Sequence, residues 1–123
     1  MVRTKQRQTY GEEVANVLTH GAGMIFGMVA LILLVVASIR SGNPWAVGSS
    51  IVYALSMTSS YVTSTFYHAS ANARRKRLLR RFDHSAIYLH IAGTYTPFTL
   101  VALRQVGYWG WSLFAIVWIA AAI

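Results

Sequence analysis

The side chains best suited to chemistry lie at the ends of long apolar segments. Ser64 and His68 are four residues apart near the end of one such segment, and Asp83 and His84 open the next. His20 lies near the start of the first apolar segment. Residues four apart share one face of a helix, so Ser64 and His68 are expected side by side. Imidazole and carboxylate groups from three helices at one level indicate a metal or proton site.

Each of these residues also has a purely structural explanation. A single histidine near a membrane interface is commonly just a hydrogen-bonded polar group. Asp83 is free to pair with Arg80 or Arg81, and such a surface ion pair contributes little stability. His90, deeper in its segment, is expected to be a buried hydrogen-bonding residue. The prediction of a site therefore rests on convergence from three helices and not on any one residue.

The composition indicates a membrane protein of at most one domain. The 123 residues are 55% hydrophobic and only 11% charged, with a mean hydropathy of +0.45, whereas soluble domains carry about 25% charged residues. The net charge is +8, but the cations lie between apolar runs, which favours anionic lipid headgroups over nucleic acid as the partner. The absence of cysteine excludes disulfides and thiolate metal sites.

We predict an all-α, multi-pass transmembrane bundle with helices at about 17–39, 45–69, 82–103 and 108–123. A spanning helix needs about 20 apolar residues, and residues 14–39 contain no Lys, Arg, Asp or Glu. That run is too long for a signal peptide. Gly23 and Gly27 form a small-xxx-small pair, which predicts a helix-packing face. Pro97 removes a hydrogen bond to Gly93 and predicts a kink.

The distribution of basic residues predicts a cytoplasmic N-terminus. Six basic residues lie in an expected loop over 72–81, and three precede the first helix, at Arg3, Lys5 and Arg7. The other two connections hold only Arg40 and Arg104. Cytoplasmic loops carry the Lys/Arg excess. We also expect the basic loop, Arg74 to Arg81, to contact anionic headgroups, with part of it lying flat on the membrane.

Three motifs in this order resemble the hemolysin III family, the mainly bacterial branch of the progestin and adipoQ receptor superfamily. The resemblance covers nearly all of the chain. The motifs are Glu12-x-x-x-Asn16-x-x-Thr19-His20-Gly21, Ser64-x-x-x-His68, and the run from Asp83-His84-Ser85 through Gly93-Thr94-Tyr95-Thr96-Pro97-Phe98.

The resemblance implies a seven-helix protein of the bacterial plasma membrane, related to receptors and alkaline ceramidases that hold zinc near the cytoplasmic leaflet. By that analogy His68 is a zinc ligand, and Asp83 is the catalytic carboxylate that orients or deprotonates a zinc-bound water. Ser64 supports the site by hydrogen bonding. The resemblance carries no role over to His20, His84 or His90.

One departure from the family pattern affects the zinc prediction. Family members carry a further His-x-x-x-His in the last helix, and no histidine follows His90 here. We therefore expect a fragment or truncated product. Zinc binding by this chain requires His20 or His84 as an additional ligand, a site shared between protomers of a homo-oligomer, or a further segment.

Three functions remain open from the sequence. The first is a zinc-dependent hydrolase of a lipid amide or ester. The second is a non-enzymatic protein of membrane-lipid homeostasis, or a receptor-like protein. The third is a pore-forming cytolysin, although no helix carries a polar stripe along its full length.

Overall fold

The computed structural model describes residues 8–123, which form four α-helices and no strand within that range. They are α1 (Tyr10–Arg40), α2 (Pro44–Ala69), α3 (Ala73–Pro97) and α4 (Trp109–Ala122), with a π-helical turn at Phe98–Ala102. The all-α prediction is confirmed, and the chain is a helical membrane protein. Arg3, Lys5 and Arg7, used above to predict orientation, lie outside the described residues.

Helix α1 begins at Tyr10 and not at about residue 17, because Thr9 and Glu12 form a capping box. The Thr9 side chain accepts a bond from the Glu12 backbone N–H at 3.3 Å, and Glu12 Oε2 accepts from the Thr9 N–H at 2.6 Å. This reciprocal pair satisfies two backbone donors that every helix start leaves open. Among the described residues, α1 is the helix long and apolar enough to cross a membrane, and α4 is apolar but shorter.

The predicted basic loop is helical, so the prediction of a loop over 72–81 is wrong. Helix α3 begins at Ala73 and not at residue 82. The Asn72 side chain caps it by accepting from the backbone N–H groups of Arg74 and Arg75 at 3.0 and 3.1 Å. Arginine, lysine and leucine, which fill the next turns, are all good helix formers. The basic segment is therefore a continuous extension of the third helix.

Helix α2 packs antiparallel between α1 and α3. Its contacts with α1 pair residues in reverse order: Asn16 with His68, Gly27 with Thr58, and Ser38 with Ser50. The same reversal holds for α3, where Tyr53 stacks with His90 and Lys76 lies over Tyr67. The start of α1, the end of α2 and the start of α3 therefore lie at one end of the bundle.

Glycines allow these close approaches. A Cβ at Gly23 would lie 2.6 Å from the ring of Tyr61, and one at Gly27 would lie 3.0 Å from Thr58 Oγ1. A Cβ at Gly93 would overlap the side chain of Ser56. The Gly23 and Gly27 pair thus faces α2, as a small-residue packing face does.

The opposite end is held by aromatic side chains. After Pro97, whose ring removes a backbone donor, α3 continues as the π-helical turn. The Trp118 indole donates to Thr96 Oγ1 at 3.1 Å and ties α4 to α3. The Arg104 guanidinium lies 4.6 Å from the centre of a Trp45 ring, which in turn meets Trp111 edge-on. This end contains none of the predicted site residues.

Candidate functional site

The polar end of the bundle is organised around His68. Its Nδ1 lies 2.7 Å from Glu13 Oε2 and 3.4 Å from Asn16 Nδ2, so α1 and α2 are joined by a nearly buried side chain that is 9% exposed. An ionised carboxylate can only accept hydrogen bonds, so Nδ1 of His68 carries the proton. In the neutral ring the lone pair is then on Nε2.

Glu13 also reaches the third helix. Its Oε1 forms an ion pair with the Lys76 ammonium, while Oε2 is held by His68. Lys76 lies over the ring of Tyr67, 5.2 Å from its centre, in a cation–π contact. We call Glu13, His68 and Lys76 the Glu13 cluster. It connects α1, α2 and α3 through one carboxylate.

Two rings restrict the orientation of His68. The imidazole of His20 stacks nearly parallel to it, with ring centres 5.8 Å apart and planes 12° apart. Tyr67 meets the same ring edge-on at 4.7 Å. The structure therefore brings His20, one of the two candidate additional ligands, into direct contact with His68.

A cavity of about 780 Å³ opens beside the cluster. Helix α3 lines it with Lys76, Arg77, Arg80, Asp83 and His84. Glu13 and His68 line the opposite side. Three cations thus share the cavity with two carboxylates, and Asp83 and His84 face the same space as His68.

The remaining predicted residues have different surroundings. Ser64 is buried one turn before His68, but the His68 ring is hydrogen-bonded to Glu13, and the Asn16 side chain lies beside it. The ion pairs found in residues 8–123 belong to Glu13, so the alternative pairing of Asp83 with Arg80 or Arg81 is not formed there. Nδ1 of His90 is buried without a hydrogen-bond partner in the described part of the chain, contrary to expectation.

The described residues do not fit a zinc site by themselves. No group of three or more histidine, aspartate or glutamate side chains within 8–123 is close enough to hold a metal ion. The two carboxylate oxygens of Glu13 are already paired with His68 and Lys76. A zinc ion bound there would be repelled by the positive charge of the Lys76 ammonium. A catalytic zinc needs three protein ligands and an open position.

Glu13 and Lys76 were missed as site residues, although one signal was present in the sequence. Thr9-x-x-Glu12 is a capping box, which assigns Glu12 to the helix start. Glu13 is then the acidic residue left to share a face with Asn16 and His20, three and seven positions further along. Lys76 was not recognised as a site residue because the segment that contains it was predicted to be a loop.

The comparison with known proteins decides the family. The family model described as "Haemolysin-III related" matches residues 8–123. The chain belongs to the hemolysin III family. It is 45% identical over 118 residues to "Hemolysin-3" of Bacillus cereus, covering 96% of this chain and 53% of that protein. It is 41% identical over 110 residues to the "Hemolysin-3 homolog" of Bacillus subtilis (strain 168), covering 89% and 51%.

The hemolysin III resemblance read from the motifs is therefore confirmed, and the chain is a hemolysin III-type membrane protein. It spans about half the length of the curated relatives it matches. No solved structure matches the chain.

Proposed function

We propose that this hemolysin III-type protein acts in membrane-lipid homeostasis by binding anionic lipid headgroups, without hydrolysing them. The observation that carries the proposal is the cationic start of α3. Six basic residues lie on the capped first turns of this helix, at the end of the bundle that holds the Glu13 cluster. Each Lys or Arg near an anionic membrane surface contributes about 1 kcal/mol of attraction.

The arrangement of α3 supports binding to a membrane surface. Five arginines near the start of α3 are exposed: Arg74, Arg75, Arg77, Arg80 and Arg81. The apolar side chains of Leu78 and Phe82, which are 54% and 55% exposed, lie among them. A helix that presents basic and apolar side chains together is typical of the headgroup region. We propose that this segment lies there.

We also propose that the helices cross the plasma membrane several times, with the Glu13 cluster on the cytoplasmic side. The basic start of α3 lies at that end, whereas Arg40 and Arg104 lie at the other. Membrane proteins keep their Lys/Arg excess in the cytoplasm. This orientation would place the cationic helix against the anionic inner leaflet.

Lipid enrichment tests the proposal. The protein is purified into nanodiscs from a mixture of phosphatidylcholine and phosphatidylglycerol, and the lipids that remain with it are quantified at low and high salt. We expect phosphatidylglycerol to be enriched around the wild type and less so at high salt, because exposed charges are screened. A variant with all six α3 cations changed to Gln should lose the enrichment, and Arg40→Gln should keep it. Equal lipid compositions in all three proteins would refute the proposal.

The zinc-dependent hydrolase is the second candidate, and one contact favours it. His68 donates Nδ1–H to a carboxylate, and metal-binding histidines usually hold their second nitrogen in this way. Zinc content and lipid hydrolysis, measured for wild type, His68→Ala and Asp83→Ala, separate the two candidates. Near-stoichiometric zinc that is lost in His68→Ala, with turnover lost in both variants, would replace the homeostasis proposal by the hydrolase.

A further inference from the structure

We propose that the Glu13 cluster marks a binding site for one anionic phospholipid molecule, with its phosphate in the cationic cavity and its first acyl carbons in an adjoining apolar groove. The proposal rests on the headgroup binding proposed above and deepens it. It replaces a diffuse attraction by a site of defined position and stoichiometry.

The groove is a second cavity, of about 380 Å³, that adjoins the cluster. Its α1 side consists of Tyr10, Val14, Val17 and Leu18. It shares Glu13, His68, Ala71 and Lys76 with the first cavity. A polar and an apolar cavity therefore meet at one ion-paired cluster. A molecule that filled both would need a charged end and a hydrocarbon end.

The polar cavity has the chemistry of a phosphate site. Lys76 is neutralised by Glu13, but Arg77 and Arg80 have no carboxylate within ion-pair distance among the described residues. They lie three apart on α3, on the side that lines the cavity. Guanidinium groups bind phosphate oxygens through paired, charge-assisted hydrogen bonds.

A carboxylate in the same cavity restricts which lipid headgroups fit there. Asp83 lines it without an ion-pair partner in residues 8–123, and His84 lies next to it. A carboxylate repels a second anion but accepts hydrogen bonds from hydroxyl groups. A phosphodiester whose headgroup carries hydroxyls therefore fits better than one that ends in a bare phosphate. Phosphatidylglycerol has this chemistry.

The position of the groove suits an acyl chain. Val14, Val17 and Leu18 begin the apolar run of α1, the helix long enough to cross a membrane. Val14 and Leu18 are 39% and 68% exposed, so the groove is open along the helix surface. A chain leaving the groove would continue along α1 toward the hydrocarbon region.

The test is lipid retention by the purified protein in native mass spectrometry. Wild type is mixed in detergent with phosphatidylglycerol, with phosphatidylcholine of the same chains, or with phosphatidylglycerol plus excess glycerol phosphate or inorganic phosphate. Two double variants are matched in charge and in helix: Arg77→Gln with Arg80→Gln removes cations that line the cavity, and Arg74→Gln with Arg75→Gln removes cations that do not. Melting temperatures show whether both remain folded.

We expect wild type to retain one phosphatidylglycerol per chain and no phosphatidylcholine. The Arg77/Arg80 pair should retain at least about tenfold less, the loss expected when one charge-assisted hydrogen bond is removed. The Arg74/Arg75 pair should keep the one lipid that wild type retains in detergent and show only a smaller enrichment in nanodiscs, because these exposed cations contribute to the diffuse attraction but do not line the cavity. Glycerol phosphate and inorganic phosphate should fail to displace the lipid, because neither fills the groove.

Other outcomes separate this inference from the function on which it rests. Equal losses in both double variants would leave diffuse headgroup binding in place and overturn the defined site. Unchanged retention in both double variants would overturn the site. If the variant with all six α3 cations changed to Gln also kept its lipid enrichment in nanodiscs, the proposed function would fail as well. Displacement by either free phosphate would show an anion site without a lipid chain and overturn the amphiphile inference.

Discussion

Glu13 on α1 accepts a hydrogen bond from His68 on α2, with 2.7 Å between Oε2 and Nδ1, and its other oxygen pairs with Lys76 on α3. Three helices distant in sequence are thus joined at one carboxylate that is 20% exposed. Partly buried charges are costly unless paired and hydrogen-bonded. The arrangement makes Glu13 the residue on which the geometry of this end depends.

Changing Glu13→Gln should destabilise the protein more than changing its neighbour Glu12→Gln. The first change leaves Lys76 without its anion and weakens the bond to His68, at a cost of about 1–3 kcal/mol. The second retains the capping box, in which Gln can replace Glu, and should cost less than about 1 kcal/mol. Thermal unfolding in detergent measures both, and equal melting temperatures would contradict the role given to Glu13.

Lys76→Gln should be coupled to Glu13→Gln. Residues in direct contact show interaction energies of about 0.5–3 kcal/mol in a double-mutant cycle. Lys76→Gln alone should loosen the start of α3, seen as faster hydrogen exchange at Ala73–Arg81 than in Arg75→Gln, the control on the same helix. Additive effects of Glu13→Gln and Lys76→Gln would mean that the ion pair contributes nothing.

Gly93→Ala should be strongly destabilising, because the added Cβ overlaps Ser56. Forcing an extra carbon into a packed interface costs about 1–3 kcal/mol. Gly48→Ala is the matched control, since nothing lies within 4 Å of a Cβ there, and it should be neutral or stabilising by up to about 1 kcal/mol. If Gly93→Ala unfolds at the same temperature as wild type, the close approach of α2 and α3 is not as described.

Orientation can be tested cleanly because the chain has no cysteine. Ala71→Cys lies at the end of the bundle with the Glu13 cluster, and Gln105→Cys lies in the exposed turn before α4. A membrane-impermeant thiol reagent should label Gln105→Cys in intact cells and Ala71→Cys only after permeabilisation. The reverse pattern would place the basic start of α3 outside.

Features that depend on local composition were predictable from the sequence. The length and apolarity of residues 14–39 required a helix, and Asn43-Pro44 required a break before α2, where the Asn43 side chain caps the helix and Pro44 occupies its first turn. The family motifs could also be recognised, because they are patterns of residue type and spacing. These features depend only on residues that are close together in the sequence.

The composition of the site was decided by tertiary structure. The sequence placed Ser64, Asp83 and His20 near His68, and the family motif contained Glu12 and Asn16. The side chains that contact His68 are Glu13, Asn16, His20 and Tyr67, so Glu13 takes the place expected for Glu12. Adjacent glutamates point to different sides of a helix, so the register of α1 against α2 selects between them. That register follows from where Gly23 and Gly27 allow α2 to approach.

Lys76 also shows what the sequence alone could not predict. Its positive charge was evident from the sequence, but the position of that charge in space depends on whether the segment is a loop or a helix. Once Asn72 caps α3 and the helix extends through the basic segment, Lys76 meets Glu13, 63 positions earlier in the chain. The sequence by itself determined that the chain has membrane-type helices and belongs among hemolysin III-like proteins. Only packing decided which charges meet, because pairing across helices depends on distances in space and not along the chain.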